Sequence, residues 1–327
     1  MRLNRLLLAL LTLFSLLLLM QGKTPFWQLV RSLSDAAWNP LRDERMPRLI
    51  ILLASGASLA VSGAMMQALF VNPLASPAIL GVSSGGSLAV TLIFLSGFQL
   101  TAPYLIPLSA IAGCLAALAL VYSFAKVRGR IALPTLLLSG IAFSTVLSAL
   151  QGALLYAFRD HWQLVQTLAE WGAGSSWDRS WQQVHFQLPL SLIGLACCWK
   201  NRKELDILML GEEEAANLGV EVKEVRLQLF VSVALLCGGA LAALGLIPFF
   251  GLMIPHTARA LGGLKHQSLL PRCALLGSLS LLMMDYSLRA LEIFQMTIGT
   301  VSALIGGLFF LFLFFYSERS SCLPSTV

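Results

Sequence analysis

Residues 49–125, LIILLASGASLAVSGAMMQALFVNPLASPAILGVSSGGSLAVTLIFLSGFQLTAPYLIPLSAIAGCLAALALVYSFA, contain no Lys, Arg, Asp or Glu, and this block decides the fold. A charge at the centre of a membrane helix costs on the order of 2.5–3.5 kcal/mol, so a run this long without one matches a lipid bilayer. Each spanning helix needs about 20 apolar residues, which gives about three spans here. Turn signals divide them at Asn72-Pro73 and across 97–103. Outward from this block, 131–158, 227–258 and 293–317 are equally free of these four residue types. The whole chain of 327 residues is 57% hydrophobic and 12% charged, against roughly 25% charged in soluble domains, so it lacks the residues to build a soluble surface.

The apolar runs predict about ten spans, at 6–20, 49–70, 79–98, 105–125, 135–157, 188–199, 227–246, 252–261, 273–291 and 298–316. An even number places both termini on one side. With that side inside, the loops carrying Lys126, Arg128 and Arg130, then Lys200, Arg202 and Lys203, then Lys223 and Arg226, then Lys265 and Arg272 are all cytoplasmic. The net charge of +6 is therefore read as positive-inside bias rather than as a nucleic-acid surface. Arg2 and Arg5 precede a leucine-rich run to Met20, as in a secretory signal, but Gln21-Gly22-Lys23-Thr24-Pro25 is no small-x-small cleavage site, and the run is read as a retained first span. Cys114, Cys197, Cys198, Cys237 and Cys273 sit in apolar runs and Cys322 in the tail, as packing residues without CxxC spacing.

Positive charge on the outer side is the exception that asks for a partner. It gathers in segment 21–48, where Arg42, Arg45 and Arg48 accompany Asp43 and Glu44, and at Arg289. Asp285 and Arg289 are four apart on a predicted helix and so share a face. That pair reads either as a satisfied charge at the membrane boundary or as a docking surface. Outer segment 159–186 holds Trp162, Trp171, Trp177 and Trp181, which suits an interfacial helix or a lid packed on the bundle. The inner segment 200–226 centres on Gly211-Glu212-Glu213-Glu214-Ala215-Ala216-Asn217-Leu218-Gly219, where acidic residues lead a short helix that Gly219 caps. Small residues such as Gly56, Gly63, Gly85 and Gly306 recur inside the spans and predict close helix packing, and 245–255 reads as a helix break lining a cavity.

Sequence patterns for catalysis are missing. There is no GxxxxGK[ST], no GxGxxG and no HExxH, and His161, His185, His256 and His266 are dispersed. Nor do the spans hold the chain of acidic residues that proton-driven carriers use. Energy for any pumping must then come from another subunit.

Four ordered segments carry a resemblance to a known family. Arg45-Met46-Pro47-Arg48 leads into Gly63-Ala64-Met65-Met66-Gln67; next comes Asn72-Pro73-Leu74-Ala75-Ser76-Pro77-Ala78-Ile79-Leu80-Gly81-Val82-Ser83-Ser84-Gly85. The third is Leu210 through Val220, and the fourth is Phe250-Gly251-Leu252-Met253-Ile254-Pro255-His256-Thr257-Ala258-Arg259, followed by Leu269-Leu270-Pro271 and by Asp285 with Arg289. In these the chain resembles the FecCD family of ABC importer permeases over about residues 45–313.

The resemblance implies an all-α polytopic membrane protein of the type II ABC importer permease fold, with about ten transmembrane helices in a single domain, 1–327. It implies a bacterial inner-membrane location with both termini cytoplasmic. The expected partners are a second permease copy, identical or related, two cytoplasmic ABC ATPases that hold the ATP and magnesium, and a periplasmic binding protein. The chain itself would carry no cofactor, no metal and no catalytic residue. Residues Gly211, Glu212, Glu213, Glu214, Ala215, Ala216, Asn217, Leu218 and Gly219 match the ATPase-coupling helix. Arg45, Arg48 and Arg289 match the arginines that meet glutamates of the binding protein. Asn72 and Leu74 match one cytoplasmic gate position, and Leu133 with Pro134 a second, where the cobalamin permease has small polar residues instead. Gln295-Met296-Thr297-Ile298-Gly299-Thr300 departs from the family's usual Leu-Pro-Ile/Val-Gly-Val, and Gly307 stands where Pro is common. The implied cargo is an iron chelate, siderophore or haem, or a cobalamin, while relatives carry molybdate. An ion-coupled secondary carrier and an intramembrane enzyme acting on lipid are the alternative readings.

Overall fold

The computed structural model describes residues 2–22, 24, 26–31, 38–127, 130–131, 133–293 and 295–321. The chain is helical nearly throughout. Helix α1 (Arg2–Met20) is followed by the short α2 (Phe26–Arg31), and a π-helical turn, Leu41–Arg45, runs directly into α3 (Met46–Leu69). Then come α4 (Val82–Leu95), α5 (Phe98–Thr101), α6 (Leu105–Ala125) and α7 (Leu133–Ala157). Between α6 and α7 lies a two-residue antiparallel ladder pairing Lys126 with Ile131 and Val127 with Arg130. The second half holds α8 (Trp162–Gly172), α9 (Trp181–Lys200), α10 (Arg202–Leu208), α11 (Glu212–Asn217), α12 (Val222–Leu244), α13 (Phe250–Ala260), α14 (His266–Ala290) and α15 (Ile298–Ser321).

Each of the ten expected spans falls on a helix: α1, α3, α4, α6, α7, α9 and α12 to α15. Six of these are long and apolar enough to cross a membrane, and Val82–Leu95 and Ile298–Leu313 are shorter apolar helices. Helix α9 and the half-length α13 complete the set. The boundaries differ where the sequence is polar. Helix α9 starts at Trp181 rather than 188, because Ser180 and Gln183 form a capping box there. Helix α14 starts at His266 rather than 273 and continues through Pro271. The span expected from 79 begins at Val82, after a run of turns that ends at Gly81 with φ of 72°.

Helix α3 is the hub, buried along most of its length against α9, α12, α13 and α14. At 24 residues it is about 36 Å long and spans the bundle from end to end. Lipid offers no hydrophobic drive for helices to associate, so close backbone contact must supply it. A Cβ at Gly56 would lie 2.4 Å from the Gly277 carbonyl oxygen of the antiparallel α14, and one at Gly63 would lie 1.6 Å from that of Gly251 in α13. Polar side chains on α3 are buried and paired. Ser58 hydroxyl meets Ser191 at 2.9 Å, Ser55 accepts from Gln187, and Cys237 donates to Ser62 at 3.3 Å.

The break between α12 and α13 is real, with Gly245 at φ 79° and Phe249 at φ 60°. Backbone groups freed there need partners in a membrane, and two other segments supply them. Ser175 N–H donates to Leu244 O at 2.8 Å, Ser302 hydroxyl to Pro248 O at 2.7 Å, Gly299 N–H to Gly174 O at 3.1 Å and Thr297 hydroxyl to Ala173 O at 2.6 Å. The altered stretch 295–300 is thus part of a three-segment knot with the loop after α8. By contrast α7 and α15 leave apolar faces exposed, through Leu138, Val146 and Tyr156 and through Leu304, Leu308 and Phe312.

Candidate functional site

Because α3 and α14 run antiparallel, the start of one and the end of the other meet, and the arginines collect there. Arg48 is 3% exposed, with Nε 3.6 Å from Asp285 Oδ2 and Nη1 3.4 Å from Glu44 Oε1. Arg289 approaches the same Asp285 oxygen at 3.4 Å, one turn along α14, and its guanidinium lies 3.9 Å from the Trp177 ring centroid. Ser176 hydroxyl donates to the other carboxylate oxygen. Arg45 is held by carbonyls: its Nη1 donates to Leu19 O at 2.8 Å and its Nη2 to Thr24 O at 3.5 Å. One buried carboxylate therefore faces two guanidinium groups, those of Arg48 and Arg289. Arg45, Arg48 and Arg289 also line an open cavity together with Trp38, Glu44 and Glu292.

Ser176 and Trp177 were not legible as part of this cluster. Their signal was the tryptophan-rich segment, which the structure folds over this end as a lid. Trp171 is buried, and Trp181 Nε1 donates to Arg42 O at 2.9 Å, so these rings pack on the protein.

The opposite end of α3 lies beside the acidic helix. Gly211, at φ 123°, opens α11; Ala215 is fully buried; and Gly219, at φ 84°, closes it while Val220 N–H returns to Ala215 O at 3.0 Å. Glu212 pairs with Arg226, near the start of α12. Glu213, Glu214, Ala216, Asn217 and Leu218 are exposed, and so are Met209 and Leu210 just before them. Asp206 of α10 anchors the same region to α14, accepting the His266 backbone N–H at 3.0 Å with His266 Nδ1 2.6 Å away. The arrangement is a short helix seated by one alanine and one ion pair, with an acidic and apolar outer face.

Asn72 and Leu74 sit in the turns after α3, where Asn72 Oδ1 accepts the Leu74 N–H at 2.9 Å and Leu74 is exposed. Val71, at φ 46°, shares a small cavity with Gly211, Glu212 and Arg226, so this turn abuts the acidic helix. Leu133 and Pro134 open α7, but their side chains lie outside the described residues. A contact the sequence reading did not pair is Gln67 with Arg259: Gln67 accepts from the guanidinium and donates to Leu252 O at 3.3 Å. Its signal was a lone glutamine within an apolar run, which needs a partner once buried. Among the described residues no three His, Cys, Asp or Glu side chains cluster as a metal site would require.

Residues 7–315 match the FecCD transport family. The chain is 37% identical over 290 residues to the hemin transport system permease protein HmuU of Yersinia pestis, covering 86% of this chain and 85% of that one. It is 38% identical over 276 residues to the vitamin B12 import system permease protein BtuC of Salmonella paratyphi A, covering 84% and 83%. Among solved structures it superposes with a TM-score of 0.84 and 32% identity on a metal-chelate type ABC transporter in an inward-facing conformation, over 96% of this chain and 98% of that one.

Proposed function

The chain belongs to the FecCD transport family, and from that premise we propose that it is the membrane subunit of an ATP-driven importer carrying a chelated metal of the iron-siderophore, haem or cobalamin class into the cytoplasm. As an ABC permease it is not an enzyme, and ATP hydrolysis belongs to a separate subunit. The observation that carries the mechanism is the placement of two unlike surfaces at the two ends of α3. At one end an acidic helix with Leu218 exposed is seated on α12; at the other, arginines are fixed by Asp285.

In this reading two copies associate, through the exposed apolar faces of α7 and α15, around a central pathway. Helix α11 and its neighbours Met209 and Leu210 fit the cleft of an ATPase, whose closure on ATP pulls the two α11 helices together. The arginine end receives carboxylates of a binding protein, since guanidinium pairs give steering and register. The turn of Asn72 and Leu74, next to α11, is the element that such motion would open and shut. The cargo class is supported by the relatives named for hemin and vitamin B12 and by the metal-chelate transporter.

The test is uptake into proteoliposomes containing the permease with its ATPase, supplied with the binding protein and labelled ferric siderophore, hemin or cobalamin. Accumulation of one of these that requires ATP and stops when the ATPase is omitted is the expected result. Accumulation driven by an ion gradient with no ATPase present would show a secondary carrier instead.

A further inference from the structure

A second cavity lies at the arginine end but on the flank of the bundle, between the end of α4, the start of α6, α8, α9 and the end of α12. Its walls are mostly apolar, with Phe94, Ile106 and Phe186 among them, while Gln182 and Gln183 of α9 and Arg179 of the loop before it form a polar side. Two side chains buried by more than nine-tenths also reach it. Trp171 is 8% exposed and Gln187 2%, and neither Trp171 Nε1 nor Gln187 Oε1 has a hydrogen-bond partner among the described residues. An unpartnered buried donor or acceptor costs about 1–3 kcal/mol, and two of them in one cavity beside a cation call for a polar group between them.

The chemistry selects that group. Indole N–H and guanidinium are donors and favour an anionic, acceptor-rich moiety such as a phosphate, while the Gln187 carbonyl wants a donor such as a hydroxyl. Burial pushes the Arg179 guanidinium down to about 10, so it remains a cation at neutral pH, and Ser175 O orients it by accepting from Nε at 3.2 Å and Nη2 at 2.9 Å. Water would satisfy the polar atoms but leave the aromatic walls without use. Leu100 and Tyr104, which flank the lining residue Pro103 in sequence, are exposed side chains of a protein that sits in lipid. We propose that this cavity is a binding site for one anionic phospholipid with a hydroxylated headgroup, the phosphate on Arg179 and Trp171 and the chain on Phe94, Ile106 and Phe186.

The test is native mass spectrometry of the assembled transporter released from nanodiscs of equal phosphatidylglycerol and phosphatidylcholine. Wild type is expected to keep one phosphatidylglycerol per permease. Losing a charge-assisted hydrogen bond should lower the retained fraction about tenfold in Arg179→Gln and in Trp171→Phe, with Arg179→Lys close to wild type. Equal retention in wild type and Arg179→Gln, no preference over phosphatidylcholine, or displacement by excess inorganic phosphate would each overturn the proposal. If Arg179→Gln cannot be recovered folded, Ile106→Trp, which fills the apolar half, decides by the same readout: loss supports the site and full retention rejects it. None of these outcomes depends on which cargo is carried.

Discussion

Asp285 is 1% exposed and faces Arg48, Arg289 and the Ser176 hydroxyl at once. Removing its charge leaves two guanidinium groups, at the start of α3 and the end of α14, with Glu44 as the remaining acid near Arg48. Breaking one side of a buried pair costs about 3–5 kcal/mol, so Asp285→Asn should lower the thermal midpoint of the purified protein markedly, and adding Arg48→Met should recover part of the loss. A midpoint equal to wild type in Asp285→Asn would mean that the cluster contributes little to the fold. The i to i+4 spacing made the pair of Asp285 with Arg289 readable in advance. Arg48 and Ser176 were not readable as its partners, because their approach depends on which helices pack together.

At the scale of elements, each apolar run read from hydropathy falls on a helix, but several starts differ. The first turns of α9 and α14 carry Gln182, Gln183, His266 and Gln267, which look like loop and fold as helix. Gln183 closes the capping box with Ser180, and His266 is held by Asp206. Helix α11 is the element whose role is most directly testable. Leu218 is 63% exposed and touches no core, so Leu218→Glu should change stability by no more than about 0.5 kcal/mol. It should nonetheless weaken capture of the ATPase subunit by about tenfold, as loss of an anchoring apolar side chain does. An ATPase pull-down at wild-type strength would separate α11 from coupling. Ala215→Glu is the contrasting variant, since it would unseat the helix from inside.

For the whole molecule, the sidedness inferred from basic loops makes a prediction of its own. Leu218→Cys and Trp162→Cys both place a thiol at an exposed position, whereas Cys114, Cys198, Cys237 and Cys273 are buried. In a background with Cys197→Ser and Cys322→Ser, a membrane-impermeant maleimide should label Leu218→Cys only in inside-out vesicles and Trp162→Cys only in right-side-out vesicles. The reverse pattern would invert the assignment of the coupling and docking ends. What the sequence by itself determined is the membrane class, the apolar helices, the acidic helix between its two glycines and the family, because lipid imposes its demand on each span separately and a short motif needs no neighbour to be read. What only the tertiary structure decided is the partnership of polar groups: Asp285 with Arg48, Gln67 with Arg259, Glu212 with Arg226, and the knot of 173–175, 244–248 and 297–302. All of those pairings but Glu212 with Arg226 join residues far apart in the chain, and they follow from how the elements pack, a geometry that no local pattern encodes.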